Sequence, residues 1–388
     1  MKMGVGISKA RDPEAALQEA YRKSLQKIKS TKADLCFVFY SYDYAMDTGA
    51  FAGALKKVLR DIPHAGASTW SAWSDKEAVE GETGLMVFSF KNVEFETHFL
   101  KVHSLREKAE LWSAEIARQL GDLQVDESDF LWIMADSLNF NAGNGFQFLE
   151  RHFPKLQIAG FGTSYSVPQC SVICQGEVYT NSLVAVSIRG LKPWIGLLQS
   201  IKPELDAVSV NRMSENLIIE LDSKPAFYRL CEHLMTKDDL PMMSPDEFRK
   251  HMGNLFVVER SKVPVERLRT FGEAYRVVSL LGSEMTTGMV AVANALDFSQ
   301  THYLGQKKVT YAETETEMIL QQLKTKIPEP SLLWLISSTT RVRDRERVRS
   351  DFAILRSIFP DTPVLGVSSN GEFLGGVNQF AGLVVAFE

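Results

Sequence analysis

The sequence predicts an α/β protein, with mixed β-sheets flanked by helices. Two observations predict it. Short apolar runs of strand length alternate with stretches of helical periodicity. One strand–helix–strand unit, closed by a hairpin passage and a last strand, also recurs three times, which reads as an internal duplication. The chain has 388 residues, 45% hydrophobic and 23% charged, and at about 150 residues per domain that length suits two or three domains. A two-domain chain is expected, divided into 1–190 and 191–388.

Asp12 caps the first helix, Pro13 takes its first position, and Leu17, Ala20, Tyr21, Leu25 and Ile28 share one face. The three units open on apolar strands over 35–41, 130–136 and 332–338. Helices follow over 50–59, 145–153 and 345–359. Each unit then enters a second strand around a glycine: Gly66, Gly160 or Gly366. The offsets from opening strand to glycine agree: 31 (Leu35 to Gly66), 30 (Phe130 to Gly160) and 34 (Leu332 to Gly366). Closing strands lie over 84–90, 182–188 and 382–387.

The first two units are joined by a strand over 93–102 and a helix carrying Ala109, Trp112, Ile116 and Leu120, ending at Gly121. The stretch from 190 to 330 opens on Gly190 and Pro193 and reads as a boundary. Within it, strands are expected over 217–221, 255–258, 275–280 and 289–293, with helices over 226–235 and 314–326. The third unit occupies 330–388.

Composition excludes several functions. Forty-three basic against 48 acidic residues leave a net charge of −5, without the basic footprint that phosphates require. The arginine run over 341–349 is interspersed with Asp344 and Glu346 and followed by Asp351, which reads as a solvated helix face. No nucleic-acid partner is expected. No run approaches the roughly 18 apolar residues of a membrane-spanning helix, and Lys9, Arg11, Asp12 and Glu14 interrupt any signal-type core. A cytoplasmic location is the expectation. Cys36, Cys170, Cys174 and Cys231 form no Cys-x-x-Cys pair and read as buried thiols, with Cys170 and Cys174 on one strand face. Seven histidines show no zinc spacing. The dinucleotide, phosphate-loop and nucleophile-elbow patterns all fail, so no catalytic residue or metal ligand is assigned.

Candidate ligand contacts cluster at the strand ends. Gly66, Gly160, Gly162 and Gly366 mark places where a strand leaves its sheet or backbone packs closely. Ser68, Thr69, Thr163, Ser164, Ser368 and Ser369 offer hydroxyls there, either to a ligand or to a tight strand–turn junction. Asp136 ends an opening strand as a candidate cleft residue. Arg341 follows the third opening strand and Glu372, after Gly371, follows its neighbour. Around one cleft they suit a zwitterion, arginine for carboxylate and glutamate for ammonium; alternatively they pair with each other.

These residues together resemble the FIST family of bacterial intracellular signal-transduction sensors. Residues 62–69, ending in Gly-Ala-Ser-Thr, look like its N-terminal glycine turn, and 158–163 resemble the next strand. Residues 214–226, with Glu-Leu-Asp-Ser-Lys-Pro-Ala, are similar to the start of its C-terminal half. Arg341, Gly371, Glu372 and Asn378 occupy positions of its last segment. The resemblance implies a FIST N-like domain over 1–190 and a FIST C-like domain over 191–388. It implies a sensor that binds an amino acid or similar small polar ligand and signals to a separate partner such as a histidine kinase, no output domain following Glu388. Free-standing relatives include nitric-oxide-sensing haem proteins, so haem is an alternative cofactor. A hydrolase acting through a strand-end hydroxyl is a further alternative.

Overall fold

The computed structural model describes residues 2–388 apart from 92–96, 106–108, 126–128, 141, 143–144, 165–169, 204–206, 235–244, 261–268, 271–272, 294, 308, 343–344 and 379. The first unit runs β1 (Lys2–Ser8), α1 (Pro13–Ile28), β2 (Leu35–Tyr40), α2 (Tyr42–Ala45), α3 (Thr48–Leu59), β3 (His64–Ser68), a hairpin of β4 (Ser71–Ser74) and β5 (Ala78–Glu80), and β6 (Leu85–Lys91). The second repeats the order: β7 (Thr97–His103), α4 (Ala109–Asp122), β8 (Asp129–Ala135), α5 (Gly145–His152), β9 (Gln157–Gly162), β10 (Val172–Cys174), β11 (Glu177–Tyr179) and β12 (Ser182–Arg189).

The third unit begins at β13 (Trp194–Leu198) and is then interrupted. The interrupting segment holds β14 (Ile201–Pro203), β15 (Val210–Ser214), β16 (Leu217–Leu221), β17 (Lys224–Pro225), α6 (Ala226–Leu234), α7 (Pro245–Met252), β18 (Leu255–Arg260), β19 (Tyr275–Glu284), β20 (Met289–Val292) and β21 (His302–Lys307). The unit resumes with α8 (Val309–Lys326), β22 (Leu332–Ser338), α9 (Thr339–Val342), α10 (Arg345–Ile358), β23 (Val364–Ser369), β24 (Glu372–Phe373), β25 (Val377–Asn378) and β26 (Gly382–Phe387).

Among the described residues the strands form three sheets of six and one of eight. The six-stranded sheets share one plan. In each, the opening strand pairs in parallel with the second strand and antiparallel with the closing strand. An outer strand, β1, β7 or β13, pairs with the closing strand. The position beyond the second strand is filled by a hairpin from a different unit. β10 lies on β3, β24 on β9, and β4 on β23. The exchange is cyclic, so the second and third of these sheets join residues from both sides of position 190, whereas the first lies wholly before it.

Strand alternation explains the layering. Phe37 and Phe39 of β2 face a core shared by the three sheets, whereas Cys36, Val38 and Tyr40 face the helix side. Trp132 and Trp334 meet in the shared core with ring centroids 4.6 Å apart. Helices pack on the outer faces: α1 and α3 on the first sheet, α4 and α5 on the second, α8 and α10 on the third. The first helix is built as its residues require, with the Asp12 carboxylate accepting from the Ala15 N–H at 2.8 Å.

The interrupting segment makes the eight-stranded sheet. Its first and last strands pair antiparallel, Ile201 opposite Lys307, so the chain leaves and returns at one place. Glu315 of α8, buried, accepts from the Gln199 N–H at 2.9 Å and the Ser200 N–H at 2.8 Å and fixes that junction. Several strands here were not evident in the sequence. β1 and β21 mix polar residues with apolar ones, so no strand pattern stands out there; β13, Trp-Ile-Gly-Leu-Leu, is apolar but follows directly on Gly190 and Pro193, which read as a boundary; and the α7 segment lacks an apolar run. The start of the expected strand at 93–96 and residue 235 lie outside the described residues. Cys170 precedes β10 rather than sharing a strand with Cys174, and all four thiols are buried.

Candidate functional site

The three second strands end close together, because each sheet contributes one face to the same core. Thr69 follows β3, Ser164 follows β9, and Ser368 lies near the end of β23. The Thr69 hydroxyl lies 3.0 Å from that of Ser368, and the Ser164 hydroxyl lies 2.7 Å from it. The Trp70 N–H donates to Ser164 Oγ at 2.7 Å, and the Ser71 N–H to Ser368 Oγ at 2.9 Å. Ser68 Oγ accepts from the Ser171 N–H at 3.1 Å. Thr163 accepts from the Ser137 N–H through Oγ1 at 3.1 Å, while its carbonyl accepts from the Ser137 hydroxyl at 2.6 Å. Of the hydroxyls singled out in the sequence, Thr69, Ser164 and Ser368 meet one another, whereas Ser68 bonds to Ser171, Thr163 to Ser137 and Ser369 to Glu372; all six are buried. They knit the crossing strands.

The key glycines sit within strands, not in open loops. Gly66 is opposite Val38, Gly160 opposite Ile133 and Gly366 opposite Leu335, the same register in all three sheets. A Cβ on Gly66 would stand 2.0 Å from the Val38 carbonyl, and one on Gly366 2.0 Å from the Trp73 ring. Close packing explains them. Gly162 lies against the Asn370 carbonyl, and Gly371 adopts φ +100°, which other residues avoid.

Asp136 is buried and capped. Its carboxylate accepts from the Leu138 N–H (3.1 Å), the Asn139 amide (2.8 Å) and the Asn181 N–H (2.7 Å). Asn378 donates to the Leu374 carbonyl at 3.0 Å and closes the turn between β24 and β25.

Arg341 and Glu372 behave differently. Arg341 stands on α9, just past β22, and is 2% exposed. Its Nε and Nη2 both donate to Asp351 Oδ2, at 3.1 and 2.9 Å, and Nη2 also reaches Thr316 Oγ1 at 3.3 Å. Nη1 is buried without a partner. Asp351 was read from sequence as part of a solvated face; instead it closes onto Arg341, and the remaining side chains of 342–349 lie outside the described residues. Neither Asp351 nor Thr316 announces this role in sequence, since ten and 25 residues separate them from Arg341.

Glu372 is fully buried and pairs across the sheet with Phe161, a residue of the shared core. The Ser369 hydroxyl donates to its Oε1, and Oε2 has no partner. Burial pushes its carboxyl up to about 8, against the opposing pull of the Ser369 hydrogen bond and the Arg341 charge. Arg341 and Glu372 therefore sense one another without bonding directly.

Beside the Arg341–Asp351 pair a pocket opens between α8, α10 and the outer face of the third sheet. Its volume of about 20 Å³ is room for about one water. Leu320, Leu335 and Phe352 give it apolar walls, and Thr316, Ser337 and Asp351 form its polar end. The order follows from chain direction. α8 runs against β22, so Thr316 stands above Leu320 as Ser337 stands above Leu335, toward the carboxyl end of the strand, where α/β sheets gather ligands.

Family comparison bears on the class of protein. Residues 34–224 match the FIST N domain family. The FIST N-matched region runs from the start of β2 through the second unit and into the interrupting segment. FIST domains are sensory domains of signal transduction. No curated protein matches the chain.

A haem would need an imidazole opening on a slot. Of the described histidines, His64 and His302 are buried. His64 Nδ1 lies 2.6 Å from the Ile62 carbonyl with Nε2 unpartnered, and His302 Nε2 lies 3.2 Å from Glu259 Oε1. Neither lines the pocket beside Arg341, nor the shallow surface depression at the end of α1 bordered by Arg22 and Lys29. The described residues do not fit a haem at either place. Among them, no cluster of histidine, cysteine and carboxylate side chains could hold a metal. Among the described residues, no helix is long and apolar enough to cross a membrane.

Proposed function

We propose that the protein is a cytoplasmic sensor that binds a small ligand, an amino acid or similar small polar molecule, and passes the signal to a separate partner such as a histidine kinase. The single observation that carries the reading is Arg341, a buried guanidinium with an unpartnered Nη1 beside a pocket. The FIST N match supplies the sensory class, and residues 191–388 serve as the FIST C-like half. A ligand carboxylate takes the guanidinium through charge-assisted hydrogen bonds.

Thermal-shift and calorimetric titration of the full chain with amino acids and small carboxylates test this. One class should raise the melting temperature of the wild type, because a ligand that binds only the folded state stabilises it. Arg341→Lys, which keeps the charge but loses the planar fork, should abolish that shift. A wild type that responds to no member of the panel, or an Arg341→Lys protein with undiminished affinity, would overturn the reading.

A further inference from the structure

We infer that Asp351 is a built-in stand-in for the ligand's carboxylate, and that the ligand is a small carboxylate with an apolar body. This rests on the sensor reading above and deepens it. Asp351 takes both Arg341 donors on a single oxygen, Oδ2, while its Oδ1 lies 2.9 Å from the Thr316 hydroxyl. That falls short of the two-oxygen, fork-to-fork pairing a free carboxylate adopts on a guanidinium, and Nη1 stays unmet. The two members of the pair differ in exposure: the Arg341 side chain is 2% exposed, the Asp351 side chain 12%. Asp351 is the member that can swing out.

Its departure from the pocket's polar end would enlarge a cavity of about 20 Å³. A ligand carboxylate then occupies the vacated position on Arg341. Its apolar portion points down the slot between Leu320, Leu335 and Phe352. A hydrocarbon body gains from removal of its surface from water there, whereas a polar one gains nothing. The wild-type affinity is discounted by the fraction of molecules in which Asp351 has let go.

The test uses full-length wild type and Asp351→Ala with acetate, butanoate, hexanoate, hexanol and chloride at matched ionic strength, read by thermal shift and calorimetry. Asp351→Ala should melt below the wild type and be rescued by carboxylates, butanoate and hexanoate more than acetate. Its apparent affinity should be at least about tenfold tighter than that of the wild type, the competitor having been removed. Hexanol and chloride should not rescue. The double variant Arg341→Gln/Asp351→Ala should lose the rescue. If Asp351→Ala fails to fold, the isosteric Asp351→Asn serves the same comparison with the same expected gain. Carboxylate binding that is no tighter in either Asp351 variant overturns the stand-in, and the sensor reading survives if amino acids still bind wild type through Arg341. Acetate matching hexanoate overturns the apolar body. No binding of any carboxylate or amino acid to any of these proteins overturns both readings.

Discussion

Glu372 is the residue whose chemistry departs furthest from its ordinary behaviour among the site carboxylates. Its carboxyl is pushed from 4.5 to about 8 by burial. Below the lower value both folded and unfolded chains hold the proton. Between the two values the unfolded chain has lost it and the folded chain keeps it, so stability falls as pH rises, by roughly 1.4 kcal/mol per unit at most. Above about 8 the loss levels off. Glu372→Gln, uncharged throughout, should flatten this slope, so that wild type and variant diverge in denaturant melts from pH 5 to 9, with the variant the more stable at the alkaline end. Parallel curves would mean that the carboxyl is not protonated inside the fold. Ser368 makes a second prediction. Its hydroxyl accepts from the Ser71 N–H, and Ser368→Ala should cost about 1–3 kcal/mol by leaving that donor buried and unmet. Ligand affinity in titration should remain that of the wild type.

At the scale of elements, the exchanged hairpins hold the units together. Trp73 of β4 lies opposite Gly366 of β23, so a side chain from the first unit fills space that a glycine in the third leaves open. The counterparts are Ile173 opposite Gly66 and Phe373 opposite Gly160. Gly366→Ala places a methyl group within 2.0 Å of the indole, and overpacking of this kind should cost about 3 kcal/mol or more. Trp73→Ala should cost about 3–5 kcal/mol through the cavity it leaves. Chemical denaturation measures both. If the double variant recovers much of the loss of Gly366→Ala, the clash with Trp73 is its cause.

For the whole molecule, the segment between β13 and α8 has the geometry of an insertion. In the first two units the outer strand passes to its helix through a short link, whereas here a complete sheet intervenes and its end strands lie side by side. Replacing 201–307 by a short Gly/Ser link should leave the three-sheet body folded, because the core containing Trp132 and Trp334 draws almost nothing from the segment. Some stability should be lost, since Phe380 packs on Phe256 of β18 with ring centroids 4.5 Å apart. Circular dichroism and a cooperative melt of the shortened chain decide it; a non-cooperative product would show that the segment completes the body.

Apolar periodicity by itself was enough to read the three opening strands, their helices and their closing strands, because local burial on a sheet face or helix stripe dictates residue type at fixed spacing. The glycines within the second strands and the hydroxyls at their ends were legible as features, because residues without a side chain or with a short polar one stand out against apolar runs. Which sheet each hairpin joins was not legible, because Ala72–Trp73 and Ile173 carry no mark of the strand they will pair with. Nor was the pairing of Arg341 with Asp351 and Thr316. An arginine beyond a strand can be read from the chain, but its partner lies on whichever helix tertiary packing brings across, and burial of that pair is decided only there. The chain alone determines which segments are strands and helices and where polar groups punctuate them. The tertiary structure decides which of those groups meet, because long-range contacts depend on how separate faces are covered rather than on neighbours in sequence.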